Sequence, residues 1–263
     1  MLPIDPTLNI AIKAARKAGD IIFRYHNQIK YLNIENKANN DFVSQVDKMA
    51  EDIIIEELKY AFPEHSILGE ENGKISADEN FLWIIDPLDG TTNYLHGFPQ
   101  YAVSIALYEK LQASQAVVYD PFKQDLFIAS RGTGAYLNEK RLRVTNTNGF
   151  ENTLIGTGFP FKSPQFLATY LDIFKDIHPQ VAGIRRAGSA ALDLAYLAAG
   201  RLDGFWEFKL NIWDIAAGSL LVKEAGGFIG DFLGTEKYLK NGNVVAGNES
   251  VYKAILKTIK PYT

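Results

Sequence analysis

Apolar residues recur at helical spacing in two stretches near the N-terminus. Leu8, Ala11, Ile12, Ala15, Ala18 and Ile22 form one stripe behind Asp5-Pro6, an N-cap followed by proline at the first helical position, which predicts a helix from Pro6 to about Tyr25. Val46, Ala50, Ile53, Ile54 and Leu58 form a second stripe within residues 44–60, closed by Pro63. Two helices are therefore expected before any clear sheet. Residues 66–69 and 81–85 are short apolar runs bounded by turn residues, the pattern of buried strands, and each ends in carboxylates. Between Tyr101 and Val144, β-rich segments alternate with turn signals at Asp120-Pro121, Gly132-Thr133-Gly134 and Asn138-Glu139, which predicts an antiparallel meander.

After Asn146-Thr147-Asn148-Gly149, the best linker candidate, the rhythm changes. Strands are expected at 153–155 and 205–208 and near Phe228 and Val244. Helices are expected at 164–177, 189–199, 212–225 and after Asn248. Helices alternating with strands make this half a layered α/β unit.

Composition narrows the function. With 263 residues, 47% hydrophobic and 22% charged, the chain is an ordinary globular protein, long enough for one large or two small domains. The absence of cysteine removes thiol nucleophiles, iron–sulfur clusters and disulfides. A net charge of −4 argues against a nucleic-acid grip resting on bulk charge. The first residues lack a basic leader region and no apolar run approaches the ~18 residues of a membrane span, so a cytoplasmic protein is expected.

The chemistry concentrates in Trp83-Ile84-Ile85-Asp86-Pro87-Leu88-Asp89-Gly90-Thr91-Thr92-Asn93. An apolar strand delivers two carboxylates, three residues apart, onto a turn set by Pro87 and Gly90 and into Thr-Thr-Asn. Carboxylates at a strand's end suit a hard cation such as Mg²⁺, and a helix starting after Gly90 suits a phosphate. Turn chemistry and helix capping account for the same residues without a ligand. Glu70-Glu71, Asp214 at a helix start and Asp47 three residues after Ser44, the spacing of a capping box, are each weak signals alone.

Taken together, Glu70-Glu71, the Asp86–Asn93 stretch and Trp213-Asp214 resemble, in order and spacing, the inositol monophosphatase family of Mg²⁺-dependent, lithium-sensitive sugar phosphatases. The resemblance extends along nearly the whole chain. It includes Gly156-Thr157-Gly158-Phe159-Pro160, Arg186-Ala187-Gly188-Ser189-Ala190-Ala191 and Glu224-Ala225-Gly226-Gly227, which look like the bacterial members. It implies one domain over residues 1–263, with an α+β half to about 146 and an α/β half from 147. The implied fold is the layered αβαβα sandwich of the inositol monophosphatase and fructose-1,6-bisphosphatase-like phosphatases.

The implied activity is hydrolysis of inositol 1-phosphate by metal-activated water, with no covalent intermediate, in a homodimeric enzyme. By the same resemblance Glu70, Asp86 and the Leu88 carbonyl would hold one Mg²⁺, and Asp86, Asp89 and Asp214 a second. Asp47 and Thr91 would orient or deprotonate the attacking water. Gly90, Thr91 and Thr92 would cradle the phosphate, and Gly188, Ser189, Ala190 and Glu207 would line the substrate pocket. Lys37 matches a family lysine only approximately. Lys209 and Ile212 stand where many relatives have Gly and Pro, which bears on substrate choice, and Arg185 and Arg186 are open between substrate and subunit contact. Histidinol phosphate, 3′-phosphoadenosine nucleotides and fructose 1,6-bisphosphate are the alternative substrates, and a regulatory binding protein is the alternative of another class.

Several rivals fail on spacing. Haloacid dehalogenase phosphatases place their two acids two apart, not three. Gly132-Thr133-Gly134 and Gly156-Thr157-Gly158 lack the third glycine of a dinucleotide fingerprint, and the four histidines show no H-E-x-x-H pattern.

Overall fold

The first stripe folds as predicted into α1 (Pro6–His26), with the Asp5 carboxylate accepting the Thr7 N–H at 2.7 Å. The computed structural model describes residues 5–26, 28, 34–38 and 41–263, with residues 34–38, 41–44 and 79 as backbone alone. A hairpin that the hydrophobic pattern does not announce, β1 (Ile34–Ala38) and β2 (Asp41–Ser44), separates α1 from α2 (Gln45–Ala61). Lys37 and Ser44 lie on it, so their side chains fall outside the described residues.

The eight-stranded sheet comprises β3 (His65–Gly69), β4 (Gly73–Ile75), β5 (Asp78–Asp89), β6 (Ala102–Glu109), β7 (Gln112–Asp120), β8 (Asp125–Ser130), β9 (Gly134–Leu137) and β10 (Lys140–Arg141). A short α3 (Thr91–Leu95) follows β5. The strand order is β10-β9-β8-β7-β6-β5-β3-β4, antiparallel except where β3 and β5 run parallel. The meander forms as expected. One of its turns, Lys110-Leu111 with φ of 48° and 66°, carries neither Gly nor Asn and so gave no signal in the sequence.

The second sheet has five strands: β11 (Leu154–Thr157), β12 (Gly183–Arg185), β13 (Gly204–Glu207), β14 (Phe228–Gly230) and β15 (Val244–Gly247), in the order β12-β11-β13-β15-β14. Between them run α4 (Leu167–Ile177), α5 (Ala190–Ala198), α6 (Ile212–Glu224), α7 (Tyr238–Asn241) and the last helix, α8 (Glu249–Ile259). Segment 146–149 is bound down: the Asn248 amide donates to Thr147 O at 3.1 Å, and Gly149 N donates to Ser250 Oγ at 2.8 Å.

Three apolar clusters stack these elements into five layers. Leu8, Ile22, Ile54 and Leu58 of α1 and α2 pack on Trp83, Ile85, Val103 and Val117 on one face of the large sheet. The alternate residues Ile84, Ala102, Ala106 and Val118 face the other way, onto Leu194, Leu197, Ala217 and Leu221 of α5 and α6. The far side of those helices meets Phe205, Val244 and Ala246, and the outer face of the small sheet, with Trp206 and Val245, is covered by α4 and α8. Burying each such Leu, Ile or Phe contributes about 1.5–3 kcal/mol. The layers are an αβαβα sandwich. No described helix is long and apolar enough to cross a membrane.

Candidate active site

Parallel pairing of β3 with β5 sets Gly69 against Ile85, and Glu70 N donates to Ile85 O at 3.2 Å, so Glu70 leaves its strand beside Asp86. The Asp86–Asp89 segment is not the turn expected from Pro87 and Gly90. It remains in β5 as a bulge, because Asp86 pairs with Ser104 and Asp89 with Ala102, three steps on one strand against two on its neighbour. In a regular strand residues three apart point to opposite faces; the extra residue brings both carboxylates onto one side. Pro87 donates nothing to the ladder, and the Leu88 N–H turns to Asp86 Oδ1 at 3.0 Å.

Gly90 then takes φ +99°, a left-handed conformation that L side chains rarely adopt, and a Cβ there would fall 2.8 Å from Gln100 O. The five-residue α3 is too short for a large dipole, so its value to an anion lies in the unpaired N–H groups of its first turn.

The third acid arrives from the other half of the chain. Asp214 sits in the first turn of α6, where its Oδ2 accepts the Asn211 N–H at 2.6 Å. The helix-start reading of Asp214 is thus correct, and its other oxygen remains for the site. Carboxylate oxygens of Asp86, Asp89 and Asp214 lie within 4.8 Å of one another. Asp89 is oriented by the start of α5, accepting from Ser189 Oγ and Ala191 N, each at 2.7 Å.

Burial works against ionising all three acids, and for Asp86 and Asp214 repulsion from neighbouring acids adds to it. Asp86 is pushed well above the usual carboxylate range, and Asp214 up to about 8. Asp89 rises only to about 6, because the hydrogen bonds from Ser189 and Ala191 and the charges of Arg186 and Lys162 favour its anion. A cluster this close and this desolvated calls for positive charge. Its donors are oxygens without histidine or cysteine, which fits a hard divalent cation such as Mg²⁺.

Thr91 Oγ1 stands 3.0 Å from Asp47 Oδ1 and 3.1 Å from Leu88 O, so its one proton has two acceptors in reach. Asp47 is buried behind Thr91 and does not itself line the cavity. The cavity, about 460 Å³, is lined by Glu70, Asp86, Leu88, Asp89, Gly90, Thr91 and Thr92 on one side, and by Gly188, Ser189, Ala190, Glu207 and Asp214 on the other. Every other proposed site residue therefore reaches it. Arg186 and Lys209 line it as well, whereas Arg185 turns back to the Ile184 carbonyl. Lys209 sits at φ +55°, a left-handed conformation that favours glycine.

The motifs do not point to Glu51, Lys162 or Asp193, and they give Asn93 no role of its own. Glu51, fully buried, accepts the N–H groups of Glu71 and Asn72 at 2.9 and 2.7 Å, and so fixes the turn that carries Glu70. The signal was present: Glu51 follows Asp47 by four residues, one helical turn, at the border of the apolar stripe of α2. Asn93 ties the two halves together, donating to Gln100 O at 2.8 Å and Ala187 O at 2.9 Å. Glu51→Gln keeps one acceptor and loses the other. Mg²⁺ titration of activity should then show an affinity roughly tenfold weaker or more, and an unshifted midpoint would remove Glu51 from the support of Glu70.

Residues 4–263 match the model of the inositol monophosphatase family. The chain is 51% identical to the Nus factor SuhB of Pseudomonas aeruginosa, over 98% of this chain and 97% of that one. It superposes on the extragenic suppressor protein suhB of Bartonella henselae with a TM-score of 0.95 and 44% identity, covering 97% and 99% of the two chains. For the inositol monophosphatase of Anabaena (Nostoc) sp. PCC 7120 the values are 0.84 and 35%, over 97% and 95%. A strand bulge that turns two acids to one side, a third acid from α6 and a five-layer frame shared with these proteins lead to one assignment: the chain belongs to the inositol monophosphatase family.

Proposed function

We propose that this protein is a Mg²⁺-dependent phosphomonoesterase that hydrolyses inositol 1-phosphate by direct attack of water. The observation that carries the reading is the Asp86, Asp89 and Asp214 cluster, with carboxylate oxygens within 4.8 Å, opening onto the cavity that Glu207 lines. Glu70, Asp86 and the Leu88 carbonyl would hold one ion, and Asp86, Asp89 and Asp214 a second. Bound there, Mg²⁺ supplies an acidified water and withdraws charge from the ester oxygens.

The chain's own residues do the rest. Thr91 Oγ1 receives a proton from water as its own passes to Asp47 Oδ1, along the 3.0 Å hydrogen bond between them. The first-turn N–H groups at Gly90 and Thr91, with the Thr92 hydroxyl, hold the phosphate oxygens. Glu207 accepts from leaving-group hydroxyls, against the wall made by Gly188, Ser189 and Ala190. Residues 1–263 work as one domain in this reading, since the cap of α5 and the first turn of α6, both in the C-terminal half, supply Ser189 and Asp214 to a site begun on β5.

Phosphate release from inositol 1-phosphate, histidinol phosphate, 3′-phosphoadenosine 5′-phosphate and fructose 1,6-bisphosphate tests it. Turnover should favour inositol 1-phosphate, vanish with EDTA and fall with lithium. A preference for another ester moves the substrate, and release unaffected by EDTA refutes the metal reading.

The name of the P. aeruginosa relative supports a second reading, a Nus factor role held alongside or instead of catalysis. A phenotype of a strain lacking that relative, corrected equally by wild-type chain and by Asp89→Asn, would favour this role over the catalytic one.

A further inference from the structure

Two acids in the cavity have hydrogen-bonding capacity that the protein leaves unused. Asp193, in the first turn of α5, is 2% exposed, and Glu207, at the end of β13, is 8% exposed; both line the cavity. Among the described residues no N–H or O–H group donates to either carboxylate, and only burial and nearby charges act on them. Asp89 differs, since Ser189 and Ala191 already hold it, and so does Asp214, which takes the Asn211 N–H. The nearby positive charge is Arg186, exposed at the rim and lying over the Phe159 ring at 5.4 Å.

Both carboxyl groups stand against β11 and its continuation, beside Gly156 and Gly158. Residues two apart on a strand share a face, about 6–7 Å from each other. A Cβ on Gly158 would fall 1.9 Å from Glu207 Oε1, so the missing side chain there leaves room for that carboxyl group; Gly156 lies in ordinary contact with Asp193, 3.7 Å from its Cγ to where a Cβ would stand. The two carboxyl groups are close enough that the Asp193 charge acts on Glu207.

A carboxylate offers about four lone-pair sites and no donor, so a buried one without partners is costly unless a ligand brings donors to it. Neighbouring hydroxyls on a ring bring two donors together, and the Arg186 guanidinium at the rim can donate to hydroxyl oxygens left over. A second phosphate would meet two acids, and an apolar ring would leave both unsatisfied.

We propose that Asp193 is a specificity-determining residue that, together with Glu207, accepts hydrogen bonds from the hydroxyl groups of a polyol leaving group. This rests on the reading of the site as a phosphomonoesterase. It adds to Glu207 a second acid, contributed by a different element, and it makes the arrangement of hydroxyls the feature selected.

The test compares kcat/KM for inositol 1-phosphate and for cyclohexyl phosphate, the same ring without hydroxyls, at saturating Mg²⁺. Asp193→Leu, of similar size but without acceptors, should lower the ratio of the two values by roughly tenfold or more, chiefly through KM for the inositol ester. Asp193→Asn, which keeps one acceptor, should lower it by about threefold. Thermal melts verify that each variant is folded, and the asparagine variant decides if the leucine variant is not.

A ratio equal to that of wild type in Asp193→Asn, or a parallel fall of kcat for both esters, overturns the hydroxyl contact and leaves Asp193 a structural role. A wild-type protein that hydrolyses both esters without preferring the polyol also overturns it, while the phosphatase reading stands. A folded wild-type protein that hydrolyses neither of these nor any other ester of the panel overturns both, whereas turnover of another ester alone overturns the hydroxyl contact and leaves the phosphatase reading standing.

Discussion

Asp214→Asn should lower Mg²⁺-dependent phosphate release by about three orders of magnitude while leaving the fold in place, the loss of several kcal/mol of charge stabilisation in the transition state. The variant is informative because it is conservative. An asparagine oxygen can still accept the Asn211 N–H that Asp214 takes at 2.6 Å, so the start of α6 keeps its bond. What disappears is one negative charge from a group of three whose oxygens lie within 4.8 Å. Single-turnover release from inositol 1-phosphate, measured over a Mg²⁺ series, separates weaker metal binding from slower chemistry. Turnover within tenfold of wild type at saturating Mg²⁺ would sink the role proposed for Asp214.

The same substitution should have the opposite effect on metal-free stability. Burial and the Asp89 charge hold the folded-state pKa of Asp214 at about 8, above its usual 3.8. A raised carboxyl pKa means that the folded protein prefers the neutral acid. Its contribution is therefore complete below about pH 4 and is lost as pH rises through about 8. Asparagine is neutral throughout, so in EDTA the variant should gain on wild type as pH rises from 4 to 9.

One pKa unit corresponds to about 1.4 kcal/mol, so even a third of this shift is worth about 2 kcal/mol, or roughly 4–8 °C in Tm for a chain of this size. Mg²⁺ should reverse the order, since it stabilises the form that binds it by mass action. Equal melting temperatures of the two proteins in EDTA at pH 9 would show that Asp214 carries no such strain. A variant less stable at every pH would mean that its packing matters more than its charge.

Glu70, Asp86 and Asp214 differ in how far their roles could be read from the chain. All were visible as acids following apolar runs or opening a helix, because local residue types and periodicity encode strands, helices and caps over a few residues. The bulge at Pro87 was not. A proline and a glycine flanking two aspartates satisfy a turn as well as a bulge, and only the pairing of β5 with β6, 13 residues further on, distinguishes them. Glu51 and Asp193 were passed over for a related reason: each sits in a helix where an acid is unremarkable, and its meaning depends on what the opposite layer presents.

The two N-terminal helices, the meander, the alternation of the second half and, through the resemblance, the family and its acids are all legible in the order of residues. Which faces meet is settled by packing. Parallel pairing of β3 with β5 set Glu70 beside Asp86, the packing of α5 and α6 between the sheets brought Asp214 to Asp89, and Gly158, just past β11, made space for Glu207. The division is physical. Secondary structure answers to neighbours three or four residues away, whereas a site of converging charges is held by burial and register among segments more than 100 residues apart, where local pattern carries no information about distance.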